Sequence, residues 1–252
     1  MLKGGRDANV MIRSMNPERD NTKALIYLDS NDLNGIELAR RLDLEIADRQ
    51  NVPVDWHLVC HYGELALDHP ASRLFTLSET SIQARLEGAR ESALAKACAA
   101  NRRPRALDGL GGWGVDALAL SSLGCEVTLT EINPLVCAMA RDLCHRLGFS
   151  VVVECVDVVE FLRSSSNSFD VIYLDPIFPP HPTTALPARR MQVLESLATR
   201  DTDLGSLFEL ARDLARNRVV IKHRRKQSSM VRSPDWQVEG RTIRFDVFDS
   251  RT

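Results

Sequence analysis

No apolar run in this 252-residue chain approaches the roughly 20 residues that a bilayer-spanning helix needs, so an integral membrane protein of that kind is not expected. Cysteine is sparse and unpaired in pattern. Six occur (Cys60, Cys98, Cys125, Cys137, Cys144 and Cys155), none in a Cys-x-x-Cys pair, and the histidines show no metal-ligand spacing. This excludes a zinc motif and a disulfide framework. Cys125 and Cys155 lie in apolar strand-like runs, Cys137 and Cys144 fall on one face of an expected helix, and core packing is the role expected of all six. An excess of one charge is missing too. The net charge of −2 does not mark the chain as a whole as a nucleic-acid binder. The polar, irregular residues 1–21 contain no h-region of a signal peptide and are expected to be a disordered lead-in, with the cytosol as the working compartment.

What is present is an ordinary globular balance, 44% hydrophobic and 26% charged, at a length that suits one full domain with a small accessory region. Residues 22–77 read as a small α/β subdomain, with strands near 23–28, 54–60 and 64–67 and a helix over 35–42. An Ala-, Glu- and Arg-rich stretch, 78–100, predicts one long bridging helix within residues 78–104, ended by Pro104. From 105 to 252 the pattern alternates. Strands over 125–130, 150–155 and 169–174 are separated by helices over 116–123, 134–147 and 158–162, which indicates βαβ units and a parallel sheet buried on both faces. Further helices are expected over 186–197 and 204–215, a strand over 218–222, and an antiparallel hairpin around Glu239-Gly240-Arg241. The fold class expected is α/β: a mostly parallel doubly wound sheet finished by that hairpin.

Leu107-Asp108-Gly109-Leu110-Gly111-Gly112-Trp113-Gly114 joins the first strand of this domain to its first helix. Glycines there let the chain turn sharply and let a ligand approach the backbone, and the helix that follows points its N-terminus at that ligand. Glu131 ends the next strand, 19 residues after Gly112, the spacing at which a carboxylate meets ribose hydroxyls. Asp157 ends the third strand, where it could accept from an adenine amino group. Together these describe a pocket for an adenosyl ligand. The loop alone fits either a nicotinamide dinucleotide or S-adenosylmethionine, because Gly112-Trp113-Gly114-Val115-Asp116-Ala117 carries an alanine that both tolerate. Asp108 favours the positively charged end of S-adenosylmethionine over a pyrophosphate.

Asp175-Pro176-Ile177-Phe178 follows the apolar run 169–174. Its carboxylate can accept hydrogen bonds from a planar amine and its ring can stack on that amine's base; similar Asp/Asn-Pro-x-aromatic tetrads occur in enzymes that methylate exocyclic amino groups. Basic residues cluster at 85–105 and at 216–226. Lys222, Arg224, Arg225, Lys226, Arg189 and Arg190 could grip a phosphate backbone, and His181 and His223 read as surface residues.

These motifs resemble the bacterial 16S ribosomal RNA guanine-N2 methyltransferases of the small-subunit J type. The family loop D-A-T-A-G-L-G-R-D-A looks like residues 108–117, its E-R-N-P like Glu131-Ile132-Asn133-Pro134, its Y-L-D-P-M-F-P like residues 173–179, and its R-V-V-V-K-R like Arg218-Val219-Val220-Ile221-Lys222-His223. The resemblance implies a Rossmann-like class I methyltransferase fold, S-adenosylmethionine as cofactor and small-subunit ribosomal RNA as partner, with neither metal nor membrane. It places Val115-Asp116, Glu131-Ile132, Val156-Asp157 and Asp175 at the cofactor, beside Asp108, Gly112 and Gly114 of the loop, and Asp175, Pro176 and Phe178 at the reacting amine. This chain departs from the pattern at Val115 and Ile132, where the family has arginine, at Val156-Asp157, in the segment 85–91, and in Pro180-His181-Pro182-Thr183-Thr184. Methylation of adenine in DNA or RNA or of a protein glutamine amide, a nicotinamide-dependent dehydrogenase and a non-catalytic RNA-binding relic stay open as alternatives.

Overall fold

The computed structural model describes residues 24–165, 168–177, 188–198 and 202–250. The chain divides into two compact units, Met1–Thr76 and Leu77–Thr252. The first is a four-stranded sheet of order β2-β1-β3-β4, built from β1 (Leu25–Leu28), β2 (Glu45–Asp48), β3 (His57–His61) and β4 (Glu64–Asp68), with helix α1 (Leu33–Leu42) after β1. Strands β1, β2 and β3 run parallel and β4 returns antiparallel to β3. The short edge strand β2 is not anticipated from sequence: Glu-Ile-Ala-Asp offers no apolar run, and only its backbone pairing with β1 defines it.

The second unit opens with α2 (Glu79–Glu87) and α3 (Ala93–Ala97), which corrects the expectation of one long bridging helix. Gly88 closes α2, and Ser92 starts α3 by accepting from Ala95 N at 3.1 Å. A serine hydroxyl that caps a new helix competes with continuation of the old one.

A seven-stranded sheet follows. Its strands are β5 (Arg105–Asp108), β6 (Glu126–Glu131), β7 (Val151–Cys155), β8 (Phe169–Leu174), β9 (Ala215–Arg224), β10 (Trp236–Glu239) and β11 (Ile243–Asp249), in the order β10-β11-β9-β8-β5-β6-β7. Strands β5 to β9 are mutually parallel, and the hairpin β10–β11 adds antiparallel to β9. Helices α4 (Val115–Ser122), α5 (Pro134–Arg146), α6 (Val158–Ser164), α7 (Arg189–Leu197) and α8 (Leu204–Leu214) complete the unit. This is the doubly wound sheet with a terminal hairpin expected from the pattern.

Central strands are apolar because both faces are covered. In β8, Phe169, Val171, Ile172, Tyr173 and Leu174 are all buried. One side packs against α6 and α8, where Leu207, Phe208 and Ala211 meet Ile172, Val219, Ile221 and Phe248. Chain order then fixes where a ligand can sit. β5 is followed by β6 on one side, and the chain later returns to β8 on the other, so the crevice opens at the carboxyl ends of β5 and β8.

Candidate active site

The glycine loop is shaped by close packing. A Cβ on Gly111 would lie 2.2 Å from Leu129 Cγ, and Gly114 caps α4 with φ of 76°, a conformation side chains disfavour. Two bonds fix the loop to β6: Gly111 N donates to the Thr130 carbonyl at 3.0 Å, and Thr130 Oγ1 donates to the Gly109 carbonyl at 2.8 Å. Beside the loop lies a cavity of about 740 Å³, within the range of small-molecule sites.

Four acidic residues reach it from the carboxyl ends of successive strands. Asp108 ends β5, Glu131 ends β6, Asp157 follows β7 and Asp175 follows β8. Glu131 binds the loop itself: Oε2 accepts from Gly112 N at 3.1 Å and Oε1 from Asn133 N at 2.8 Å. Burial raises its pKa and those backbone donors oppose the rise. A carboxylate has about four lone-pair sites, so ribose hydroxyls can still donate to it. Asp157 caps α6, its Oδ1 accepting from Val159 N at 2.9 Å and Glu160 N at 3.2 Å. Asp108 stands apart. It is 1% exposed, and among the described residues neither carboxylate oxygen has a hydrogen-bond partner. Burial first, then the carboxylates of Asp116 and Asp175, push its pKa well up. A buried acid with both oxygens unsatisfied, lining a cavity, fits a ligand that brings its own donors or positive charge.

Asp175 and Asp116 are joined by one lysine. Lys222 Nζ donates to Asp175 Oδ2 at 2.6 Å and to Asp116 Oδ2 at 3.0 Å. Asp116 also accepts from Tyr173 Oη at 2.7 Å and pairs with Arg85. Burial disfavours ionised Asp116, but Lys222 and Arg85 outweigh it and hold its carboxyl well below the usual range. For Asp175 burial prevails over Lys222, with Asp116 adding to the rise, and its pKa is lifted to about 6. Asp116 thus lines the cavity with both oxygens already engaged by the protein.

Helix α7 contributes Arg190, Met191, Leu194 and Leu197 to the lining and is tied at both ends. Trp113 Nε1 donates to the Arg190 carbonyl at 2.9 Å, and Asn133 Nδ2 donates to the Leu197 carbonyl at 2.7 Å. Asn133 also caps α5 through Leu135 N at 2.9 Å, with Pro134 in the first helical position.

Of the residues singled out from sequence, Asp108, Gly112, Val115, Asp116, Glu131, Ile132, Val156, Asp157, Asp175 and Pro176 all border this one cavity. Gly114 does not; it sets the start of α4. Phe178, with the segment 179–187 that contains His181, lies outside the described residues. Two expectations change. Lys222 is paired to two carboxylates and its side chain is 15% exposed, so it belongs to the site rather than to a phosphate-gripping face. His223 is not on the surface: it is fully buried in β9, 3.2 Å from Asp246, with its pKa lowered by burial. A strand covered on both faces buries consecutive residues. Sequence reasoning missed Arg85, Tyr173, Asn133 and Trp113 as site residues. Only Asn133 carried a local signal, the Asn-Pro start of a helix.

Among the described residues, no group of three or more His, Cys, Asp or Glu side chains could hold a metal ion, and no helix is long and apolar enough to cross a membrane. The SAM-dependent methyltransferase family (SAM_MT) matches residues 38–250. A ribosomal RNA small subunit methyltransferase J of Legionella pneumophila is 34% identical over 170 residues, which is 64% of this chain and 69% of the relative. One from Coxiella burnetii is 29% identical over 247 residues, 91% of this chain and 97% of the relative. The crystal structure of a SAM-dependent methyltransferase from Neisseria gonorrhoeae superposes with a TM-score of 0.71 at 23% identity, covering 90% of this chain and 96% of that one, a likeness of fold. With a Rossmann-like sheet, a glycine loop and a row of strand-end carboxylates around one cavity, the chain belongs to the S-adenosylmethionine-dependent methyltransferases of the ribosomal RNA small subunit methyltransferase J family.

Proposed function

We propose that the chain transfers a methyl group from S-adenosylmethionine to the exocyclic N2 amine of a guanine in 16S ribosomal RNA, and that it works in the cytoplasm, where small ribosomal subunits are made. The observation that carries the reading is Asp175-Pro176 at the carboxyl end of β8, bordering the same cavity as Glu131, Asp157 and the glycine loop. Asp108, Gly112, Val115, Glu131, Ile132, Val156 and Asp157 would hold the cofactor: Glu131 at the ribose hydroxyls, Asp157 at the adenine amine, Asp108 at the charged tail. When bound, S-adenosylmethionine supplies a methyl group on a positively charged sulfur, an electrophile that needs no further activation.

What remains for the protein is alignment and charge. The guanine amine is a poor nucleophile because its lone pair is delocalised into the ring. Asp175 Oδ1 and the Pro176 carbonyl accept its two hydrogens, which orients the nitrogen and favours its pyramidal form as positive charge grows there. The methylated nitrogen must then lose a proton, and a carboxylate lifted to about 6 can take it and pass it to water. Phe178 would stack on the base, which must be unpaired or flipped to enter; such stacking is worth about 1–3 kcal/mol. Arg189, Arg190, Arg224, Arg225 and Lys226 would hold the RNA backbone.

The test is a tritiated-methyl assay on 30S subunits, naked ribosomal RNA and DNA from cells lacking the enzyme, followed by nucleoside analysis. N2-methylguanosine from 16S ribosomal RNA is the expected product, and Asp175→Ala should abolish it with the fold intact. N6-methyladenosine, or label in DNA alone, would refute the assignment.

A further inference from the structure

Lys222 lies in β9, where Leu174 of β8 is paired with Ile221, so the next residues, Asp175 and Lys222, come side by side just past the end of β8. The ammonium group bridges Asp175 Oδ2 at 2.6 Å and Asp116 Oδ2 at 3.0 Å. The Asp116 side chain is 10% exposed and has two further partners, Tyr173 and Arg85. Charges therefore alternate from Arg85 through Asp116 and Lys222 to Asp175, and the last carboxylate borders the cavity.

A lysine taken out of water needs one good carboxylate to stay charged. This one has two, on different elements, so its Nζ is held from both sides. Its hold on Asp175 engages one carboxylate oxygen, and among the described residues no hydrogen bond claims the other, which is left for a donor from the cavity. We propose that Lys222, anchored by Asp116, is the positioning residue for the amine-accepting carboxylate, fixing Asp175 with Oδ1 turned to the incoming nitrogen. The inference rests on the reading of Asp175 as the amine acceptor.

The groups around Asp175 set what its loss would do. Asp116 on α4 disfavours its negative charge, Asp108 on β5 is itself pushed towards its protonated form and adds no such charge, Tyr173 on β8 is neutral, and Arg85 on α2 favours the ionised form. Lys222 is its main counter-charge. Without the ammonium, burial and the Asp116 carboxylate prevail, and Asp175 is protonated near neutral pH. A protonated acid presents a hydrogen where the amine needs an acceptor.

Two variants push in opposite directions. Lys222→Met keeps the apolar stem and removes the charge; the acid limb of the kcat/KM profile should move up from about 6 by one unit or more, the scale of an adjacent opposite charge. At pH 6.5 a rise of one unit lowers kcat/KM about 3-fold, and a larger rise lowers it further, with recovery at pH 9 and cofactor affinity by calorimetry nearly unchanged. Lys222→Arg should restore much of the loss. Asp116→Asn removes a repelling charge and leaves Lys222 to Asp175, so the limb should move down. The same two shifts should be read directly, without turnover, from the Asp175 carboxyl carbon in an NMR titration, assigned with Asp175→Asn. If Lys222→Met does not fold, the downward shift in Asp116→Asn carries the test. Unmoved titrations in folded variants overturn the inference. Wild-type protein that methylates no RNA overturns the functional reading instead, while the NMR titration still decides whether Lys222 holds Asp175.

Discussion

Asp108 carries a cost that only a ligand removes. Its carboxyl is buried without a hydrogen-bond partner among the described residues, and its pKa is raised by burial and by Asp116 and Asp175. Below the ordinary carboxylate range both folded and unfolded chains hold this proton. As pH rises past that range the unfolded chain releases it and the folded protein does not, so the folded state loses stability up to the raised pKa. Asp108→Asn keeps the shape and removes the titration. In thermal melts of the ligand-free protein it should be more stable at pH 7, on the order of 1–3 kcal/mol, with the gain fading towards pH 4. Calorimetry should show S-adenosylmethionine affinity reduced about 10-fold or more, the scale of a lost charged hydrogen bond. Unchanged affinity would remove Asp108 from the cofactor site. Its position was legible because a strand-end acid before a glycine loop is a local pattern. The partners of Asp116 were not: Arg85 lies 31 residues upstream and Lys222 106 downstream, and no local pattern joins them.

Helix α7 shows what elements add. It has no side-chain N-cap, yet Trp113 holds its first turn and Asn133 its last. Asn133 therefore serves two helices, capping α5 with its carbonyl oxygen and α7 with its amide nitrogen. Asn133→Asp keeps the cap and deletes the donor; Asn133→Ala deletes both. Chemical denaturation should place the alanine variant about 1–2 kcal/mol below wild type and the aspartate variant between them. Hydrogen exchange at the end of α7 should quicken in both. Equal stability for all three would mean that α7 is held by packing alone. The parallel strands were readable because burial on two faces writes itself as an apolar run. Strand β2 and the break between α2 and α3 were not. One depends on a backbone partner, the other on Gly88 and Ser92 overriding a stretch rich in helix formers.

At the scale of the whole molecule, a net charge of −2 means that any hold on RNA must be local. Parallel strands that all end at the cavity bring β9 there as well, and β9 continues into Arg224, Arg225 and Lys226. The backbone beyond β9 is fixed from beneath by Arg244. Buried and paired with Asp246, it donates to the Arg225 carbonyl at 3.1 Å and to that of Gln227. Arg225 is exposed and paired across the hairpin with Glu239 at 2.7 Å, a solvent-screened contact that a phosphate can replace. Lys222 is committed to Asp116 and Asp175 and takes no part. Reversing Arg224, Arg225 and Lys226 to glutamate should therefore weaken binding of a 16S ribosomal RNA fragment and leave S-adenosylmethionine affinity unchanged. Each lost phosphate contact on a single strand flattens the plot of log affinity against log salt by about 0.7, so the triple variant should lose about 2 units of slope. Lys222→Met should bind RNA with the wild-type slope. A triple variant that keeps the full slope would move the RNA path away from the end of β9, and a reduced slope in Lys222→Met would return that lysine to the phosphate-binding face.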